Sequence, residues 1–176
     1  MTTHKLVIAG FGGQGVMLIG QMIAYAGMLE GKEVTWMPSY GPEMRGGTAN
    51  CTVIVSDKRI SSPIVTEATA IVAMNLPSLM KFESMIQPGG QLFVNTSLIK
   101  EQPSRSDVEI YNIDANQIAV SLNNDKVSNM VILGAIVNKT GMVKLESLEK
   151  VMEKLFTGKK AKLLPLNKEA LTAWKA

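Results

Sequence analysis

Apolar residues follow two rhythms along this chain. Short unbroken runs, as in "KLVIAG" (residues 5–10) and "TAIVAM" (69–74), have the character of central parallel strands buried on both faces. Between them, after "GFGGQG" (10–15), the spacing turns helical. Leu18, Met22, Tyr25 and Leu29 fall on one face, with Ile19, Ile23 and Ala26 beside them. Gly31 is placed to end that helix as its C′ glycine. "EVTWM" (33–37) then reads as a second strand, so the opening predicts a β-α-β unit with a right-handed crossover and the start of a doubly wound sheet.

Further on, "NCTVIVS" (50–56) alternates as a strand, and "DKRISS" (57–62) reads as a turn into an extended "PIV" (63–65). Asn75 is positioned to cap a helix whose first turn tolerates Pro77. Pro88, Gly89 and Gly90 are expected to stop that helix and turn the chain into a strand "QLFVN" (91–95). "VEIYNI" (108–113) predicts another strand, after which Asp114 caps a short helix through Leu122. Residues 127–141 are apolar nearly all round, which describes a helix covered on several sides. Leu148, Val151, Met152 and Leu155 give the next helix one stripe; Gly158 ends it, and Asn167 is placed to cap a last helix ending near Trp174. The order of elements predicts an α/β fold, a three-layer α/β/α arrangement about a mostly parallel, doubly wound sheet, with residues 1–176 forming a single domain.

Composition narrows the chemistry. A net charge of +3, from 18 basic and 15 acidic residues, comes with only 5% aromatics, so the basic stripe with stacking rings of a nucleic-acid binder is missing. The "KKAK" run (159–162) reads as a solvated face. A single cysteine, Cys51, excludes an internal disulfide and an all-cysteine metal site. His4 reads as an exposed terminal residue, and the usual histidine-based catalytic and zinc arrangements lack parts. No run approaches a membrane span, and the N-terminus lacks a secretory pattern, so the expected location is the cytoplasm. Most of the twelve methionines fall at core spacing; Met44, in a loop, is the exception.

The candidate chemistry lies in the glycines. Gly10, Gly12 and Gly15 satisfy G-x-G-x-x-G directly after a strand and at the opening of a helix, where free N–H groups attract an anion. Two readings stand at this point, a bound anion and a purely structural tight turn. A nicotinamide dinucleotide needs an acid at the end of the second strand for the ribose; that end reads Trp36, Met37, Pro38, Ser39, and Glu30 and Glu33 come too early. The twelve-residue stretch from Pro38 to Ala49 reads as a loop at a strand's carboxyl end. In it Ser39, Tyr40, Glu43, Arg45, Gly46, Gly47 and Thr48 are candidate binding residues, with Arg45 as a planar fork for phosphate or carboxylate. The alternative is an internal Glu43–Arg45 pair in an ordinary loop.

Together, "IAGFGGQGV" (8–16) and "PSYGPEMRGGTANC" (38–51) resemble the gamma subunit of the 2-oxoacid:ferredoxin oxidoreductases, as do "AMNLPSLMKF" (73–82) and "VSNMVILGAIV" (127–137). The "EMRGGTANC" form is more similar to the 2-oxoglutarate and branched-chain branches than to the pyruvate branch, with 2-oxoglutarate the expected acid. The resemblance implies a complex that converts a 2-oxoacid and coenzyme A into acyl-coenzyme A and carbon dioxide while reducing ferredoxin. It implies thiamine diphosphate, magnesium and iron–sulfur clusters in alpha and beta partners or a ferredoxin-like subunit, with none bound by this chain alone. This sequence has neither the Gly-Asp-Gly start of a thiamine diphosphate motif nor cluster cysteines. What remains for Gly10, Gly12, Gly13, Gln14, Gly15 and Arg45 is contact with a phosphate-bearing part of coenzyme A, or packing against the partner subunits. The rivals are a free-standing nucleotide- or flavin-binding reductase and a purely structural scaffold subunit.

Overall fold

The computed structural model describes residues 1–40 and 48–176. Glu43, Met44, Arg45, Gly46 and Gly47 therefore lie outside the described residues. Six strands form one sheet: β1 (Thr3–Phe11), β2 (Glu33–Tyr40), β3 (Thr48–Ser56), β4 (Ala68–Ala73), β5 (Ile86–Asn95) and β6 (Glu109–Ile113), in the order β2-β3-β1-β4-β5-β6. β1, β4, β5 and β6 pair in parallel, so their carboxyl ends share one edge. β3 runs antiparallel to both of its neighbours, β1 and β2.

That strand corrects two expectations. β2 is not adjacent to β1, because β3 lies between them. The stretch read as a twelve-residue loop is strand at both of its ends: β2 continues through Pro38 and Ser39 to Tyr40, and β3 begins at Thr48. Only residues 41–47 connect them, far fewer than a parallel crossover needs, and so the two strands must run antiparallel.

The sheet has two unequal covers. On one face, inward residues such as Leu6, Ile8, Val53, Val72 and Phe93 join the larger core beneath helices α1 (Val16–Leu29), α3 (Ala115–Ser121), α4 (Ser128–Thr140), α5 (Leu145–Leu155) and α6 (Leu164–Leu171). On the other, Val7, Ile54, Ile71, Leu92 and Val94 pack with Leu79 of α2 (Leu76–Phe82) and with loop residues such as Ile99. Among the described residues, no helix is long and apolar enough to cross a membrane.

Several local expectations hold and several shift. α1 ends in a Schellman motif: Gly31, at φ 72°, donates to Met28 O at 3.0 Å and Lys32 N donates to Gly27 O at 3.0 Å. Its buried face is Ile19, Met22, Ile23 and Ala26, while Tyr25 and Leu29 remain about half exposed. β5 starts at Ile86, so Pro88–Gly90 do not stop α2; they form a bulge inside the strand, between the Ala68↔Ile86 and Ala70↔Gln91 pairs. Residues 63–65 form no strand. Asn167 lies inside α6, where its Nδ2 donates to Leu163 O at 2.7 Å, because a 3₁₀ segment, Gly158–Leu163, leads into that helix earlier than expected. His4 is half-buried in β1 opposite Val55, and burial first and Lys32 second hold its pKa below the ordinary value.

α4 is the buried centre of the helical layer: every residue from Met130 to Val137 is buried. α6 crosses it at Gly134, where a Cβ would lie 1.8 Å from Leu171 O. The end of α1 is tied to the start of α5 by Glu30. Its Oε1 accepts Lys144 N–H at 2.6 Å, and Lys32 Nζ bridges Glu30 Oε2 at 3.3 Å and Met142 O at 2.7 Å. Burial pushes the Glu30 pKa up, but hydrogen bonds from Lys144 N–H, Ser147 and Lys32 more than offset it and the net shift is downward.

Two outcomes follow for stability. Gly134→Ala should lower stability by at least the ~1–3 kcal/mol of an overpacked core, since the new atom meets backbone that cannot swing aside; urea melts measure it. Folding lowers the Glu30 pKa, so its contribution is complete above the unfolded value of about 4.3 and is lost as pH falls through the lower folded value. Glu30→Gln should therefore flatten the acid side of the stability–pH curve and leave a loss of about 1 kcal/mol near neutral pH.

Candidate functional site

The sheet order reverses direction between β1 and β4, and ligands in open α/β sheets bind at the carboxyl edge of such a switch point. There β1 leaves the sheet through residues 10–15. Gly13 and Gly15 take φ of 94° and 77°, conformations that glycine adopts without strain. Gln14 N donates to Phe11 O at 3.2 Å, closing the turn. α1 then starts at Val16 with no side-chain cap and no acidic residue in its first turn. Its first N–H groups, with the positive end of the helix dipole, are the electrostatic feature of this corner.

Two clefts flank the turn. The first, about 390 Å³, lies between Gly12, Gly13 and Gly15 on one side and Thr48 and Ala49 on the other. Sheet register brings these together, pairing Phe11 with Thr48 and Gly10 with Ala49. The two segments singled out in the sequence thus meet at one corner, although 41–47 themselves lie outside the described residues. Ser39 is exposed and pairs with Asn50, and the backbone of Tyr40 pairs with Ala49, at the same end of the hairpin.

The second cleft, about 460 Å³, opens on the other side of Gly13–Gly15 along the ends of β4, β5 and β6. Its walls carry Gln14, Asn95, Asn116, Asp125, Lys126, Ser128 and Asn129. Asn95, 1% exposed, donates from Nδ2 to Asn116 Oδ1 at 2.9 Å and accepts Ser97 N–H at 3.3 Å. Ser97 also corrects the cap of α3. Its hydroxyl donates to Asp114 Oδ1 and accepts Asn116 N–H at 2.9 Å, so Asp114 orients the capping group rather than capping directly. The Asn123-Asn124 pair forms the turn before α4, with Asn123 at φ 60° and Asn124 accepting Lys126 N–H at 2.9 Å.

Of the site residues expected from sequence, Gly12, Gly13, Gly15 and Thr48 line one cleft, and Gln14 lines the other. Gly10 lines neither: a Cβ on it would lie 2.6 Å from Gln14 Oε1 and 2.8 Å from Met74 Cβ. The asparagines were missed. Their signal was an amide residue at the end of β5 (Asn95), at the start of α3 (Asn116) and at the start of α4 (Asn129), which reads as turn chemistry unless the strand ends are known to converge.

The arrangement can bind; it is poorly equipped for acid–base or nucleophilic work. Glycines and apolar side chains such as Phe11, Val16 and Met17 line the first cleft, and the second carries four amide side chains with one acid, Asp125, and one lysine, Lys126. Burial pushes the Cys51 thiol up to about 12, with Trp36 nearby, so it is no ready thiolate. No group of three His, Cys, Asp or Glu side chains suited to a metal occurs among the described residues. A dinucleotide fits badly as well, because β2, whose end should carry the ribose acid, is displaced from β1 by a whole strand.

Comparison with known proteins gives a consistent picture. The family described as pyruvate ferredoxin/flavodoxin oxidoreductase matches residues 5–173. The ketoisovalerate oxidoreductase subunit VorA of Methanothermobacter thermautotrophicus is 35% identical over 171 residues, covering 96% of this chain and 35% of the relative. The chain thus spans about a third of that relative's length. The 2-oxoglutarate synthase subunit KorC of Methanocaldococcus jannaschii is 34% identical, covering 84% of this chain and 81% of its own length. Among solved structures, the gamma subunit of the keto/oxoacid ferredoxin oxidoreductase from Geobacter sulfurreducens superposes with a TM-score of 0.81 at 29% identity, over 97% of this chain and 95% of that one. The 2-oxoglutarate:ferredoxin oxidoreductase from Magnetococcus marinus, solved with 2-oxoglutarate, coenzyme A and succinyl-CoA, gives 0.88 at 25% identity, over 97% of this chain and 30% of that one.

The turn predicts a contrast between its glycines. Gly13→Ala adds an atom into open space and should cost only the ~1–2 kcal/mol of a left-handed non-glycine residue. Gly15→Ala bears the same strain and also sets a Cβ 2.4 Å from Asn129 Nδ2. Denaturant midpoints should rank Gly15→Ala below Gly13→Ala, and adding Asn129→Gly should recover part of the difference.

Proposed function

This chain belongs to the pyruvate ferredoxin/flavodoxin oxidoreductase family, and on that premise we propose that it is the gamma-type subunit of a 2-oxoacid:ferredoxin oxidoreductase. The complex takes a 2-oxoacid, coenzyme A and oxidised ferredoxin to acyl-coenzyme A, carbon dioxide and reduced ferredoxin. The proposed acid is 2-oxoglutarate, supported by the KorC relative, whose length this chain largely spans. Thiamine diphosphate with magnesium and the iron–sulfur clusters are assigned to alpha and beta partners or a ferredoxin-like subunit. They supply the carbanion chemistry and carry off the electrons. The residues of this chain do not fit a cluster, since its one cysteine is a buried thiol with a pKa pushed up to about 12.

What this chain contributes, on our reading, is a receiver for the phosphate-bearing part of coenzyme A. The observation that carries this is the uncapped start of α1, reached through Gly13 and Gly15 and bordered by Thr48. Helix-start N–H groups and the helix dipole favour an anion there. Arg45 stands three positions before Thr48 in sequence, and on our reading its guanidinium is a cationic fork for that anion. The amide-lined cleft on the other side of the turn suits the neutral, hydrogen-bonding pantetheine arm. Positioning of this kind is a binding contribution to a reaction whose chemistry sits in partner chains.

The test is Arg45→Ala in the reconstituted complex. The KM for coenzyme A should rise about ten- to a hundredfold, as for loss of a charge-assisted hydrogen bond, while the KM for the 2-oxoacid stays put. An unchanged coenzyme A dependence with loss of assembly would make the hairpin a subunit contact instead.

A further inference from the structure

The amide of Phe11, which opens the glycine turn, is already occupied. Phe11 N–H donates to Gln14 Oε1 at 2.6 Å, and the same oxygen accepts Asn75 Nδ2 at 3.2 Å. Asn75 is 3% exposed, and its Oδ1 accepts Ser78 N–H at 3.0 Å, capping α2. These contacts fix both amide orientations without ambiguity. The atom facing Ser78 N–H must be oxygen, so the atom facing Gln14 is nitrogen, and the Gln14 atom between two N–H donors is oxygen. Met74 N donates to Ala9 O at 2.9 Å, holding the end of β4 beside the end of β1.

Gly10 follows from this arrangement. The first glycine of the motif leaves room for the chain's own carboxamide, since a Cβ there would press on Gln14 Oε1 at 2.6 Å. A neutral internal oxygen therefore takes the first amide of the turn and Phe11 O takes that of Gln14, so an incoming anion is left the amides of the glycines between and the start of α1.

From these contacts we infer that Gln14 and Asn75 are positioning residues: they clamp the glycine turn to the start of α2 and so hold it in its anion-receiving shape. This inference deepens the coenzyme A reading and rests on it. Asn75→Asp separates the clamp from the cap. Aspartate caps a helix as well as asparagine does, but it lacks the Nδ2 donor and turns a carboxylate oxygen towards Gln14 Oε1. Gln14→Glu does the reverse, keeping an acceptor for both donors while adding negative charge beside the turn.

Two readouts decide the matter. Amide exchange of the full chain without coenzyme A should be faster at residues 11–15 in Asn75→Asp, with residues 76–82 still protected, and unchanged in Gln14→Glu. In the assembled complex, the KM for coenzyme A should rise about tenfold in Asn75→Asp, the loss of roughly one hydrogen bond, with kcat retained at saturation. Gln14→Glu should raise it too, by charge alone and more strongly at low salt. Unchanged exchange at residues 11–15 in Asn75→Asp would overturn the clamp. Faster exchange with an unchanged KM in both variants would leave the clamp standing and overturn the coenzyme A assignment.

Discussion

The binding corner depends on one strand that runs against its neighbours. β3 enters between β2 and β1, antiparallel to both, and its register sets Thr48 beside Phe11 and Ala49 beside Gly10. A parallel second strand next to β1 would have left this place for a ribose acid and a dinucleotide. Instead the hairpin end stands there, and β2 is moved one strand outward. The insertion also shapes the packing of α1, because Gly20 must let the helix close down on Cys51 and Trp36. A Cβ at that position would lie 2.6 Å from Cys51 Sγ and 2.8 Å from Trp36 Nε1.

The remaining walls of the corner are held by the helical layer. α4 is buried from Met130 to Val137, and its start delivers Ser128 and Asn129 to the cleft. Asn129 is the residue that excludes a side chain at Gly15. The helix that fills the core is thus also the one that limits the turn, and Gly134 lets α6 cross it closely enough to hold it in place. Stability and site shape are in this way linked through a few close backbone approaches rather than through buried charge.

Much of this was legible in the sequence, for identifiable reasons. The apolar runs that became β1 and β4, the helix-ending Gly31, the Asn75 cap and the all-round apolar character of α4 are local signals, and each lies where its pattern placed it. Strand direction was not local. Alternation in "NCTVIVS" says that a strand is present but not which neighbour it pairs with; the short connection would have told its direction had Pro38 and Ser39 not looked like loop. Asp114 and Asn167 failed as caps for a related reason. A competing partner, Ser97 in one case and Leu163 O in the other, is visible only after folding. At the corner, Gly12, Gly13, Gly15 and Thr48 could be read from their motifs as neighbours of one cleft, but the pairing of Gln14 with Asn75 spans 61 positions and leaves no periodic trace.

The most direct measurement is a coenzyme A footprint on the assembled complex, isolated without oxygen through a tag on this chain and followed by amide hydrogen exchange. Coenzyme A should slow exchange in this chain at the glycine turn, the start of α1 and the start of β3 at Thr48, and desulfo-coenzyme A, which keeps every phosphate, should do the same. Protection confined to the partner chains, with these segments unmoved, would contradict the coenzyme A assignment.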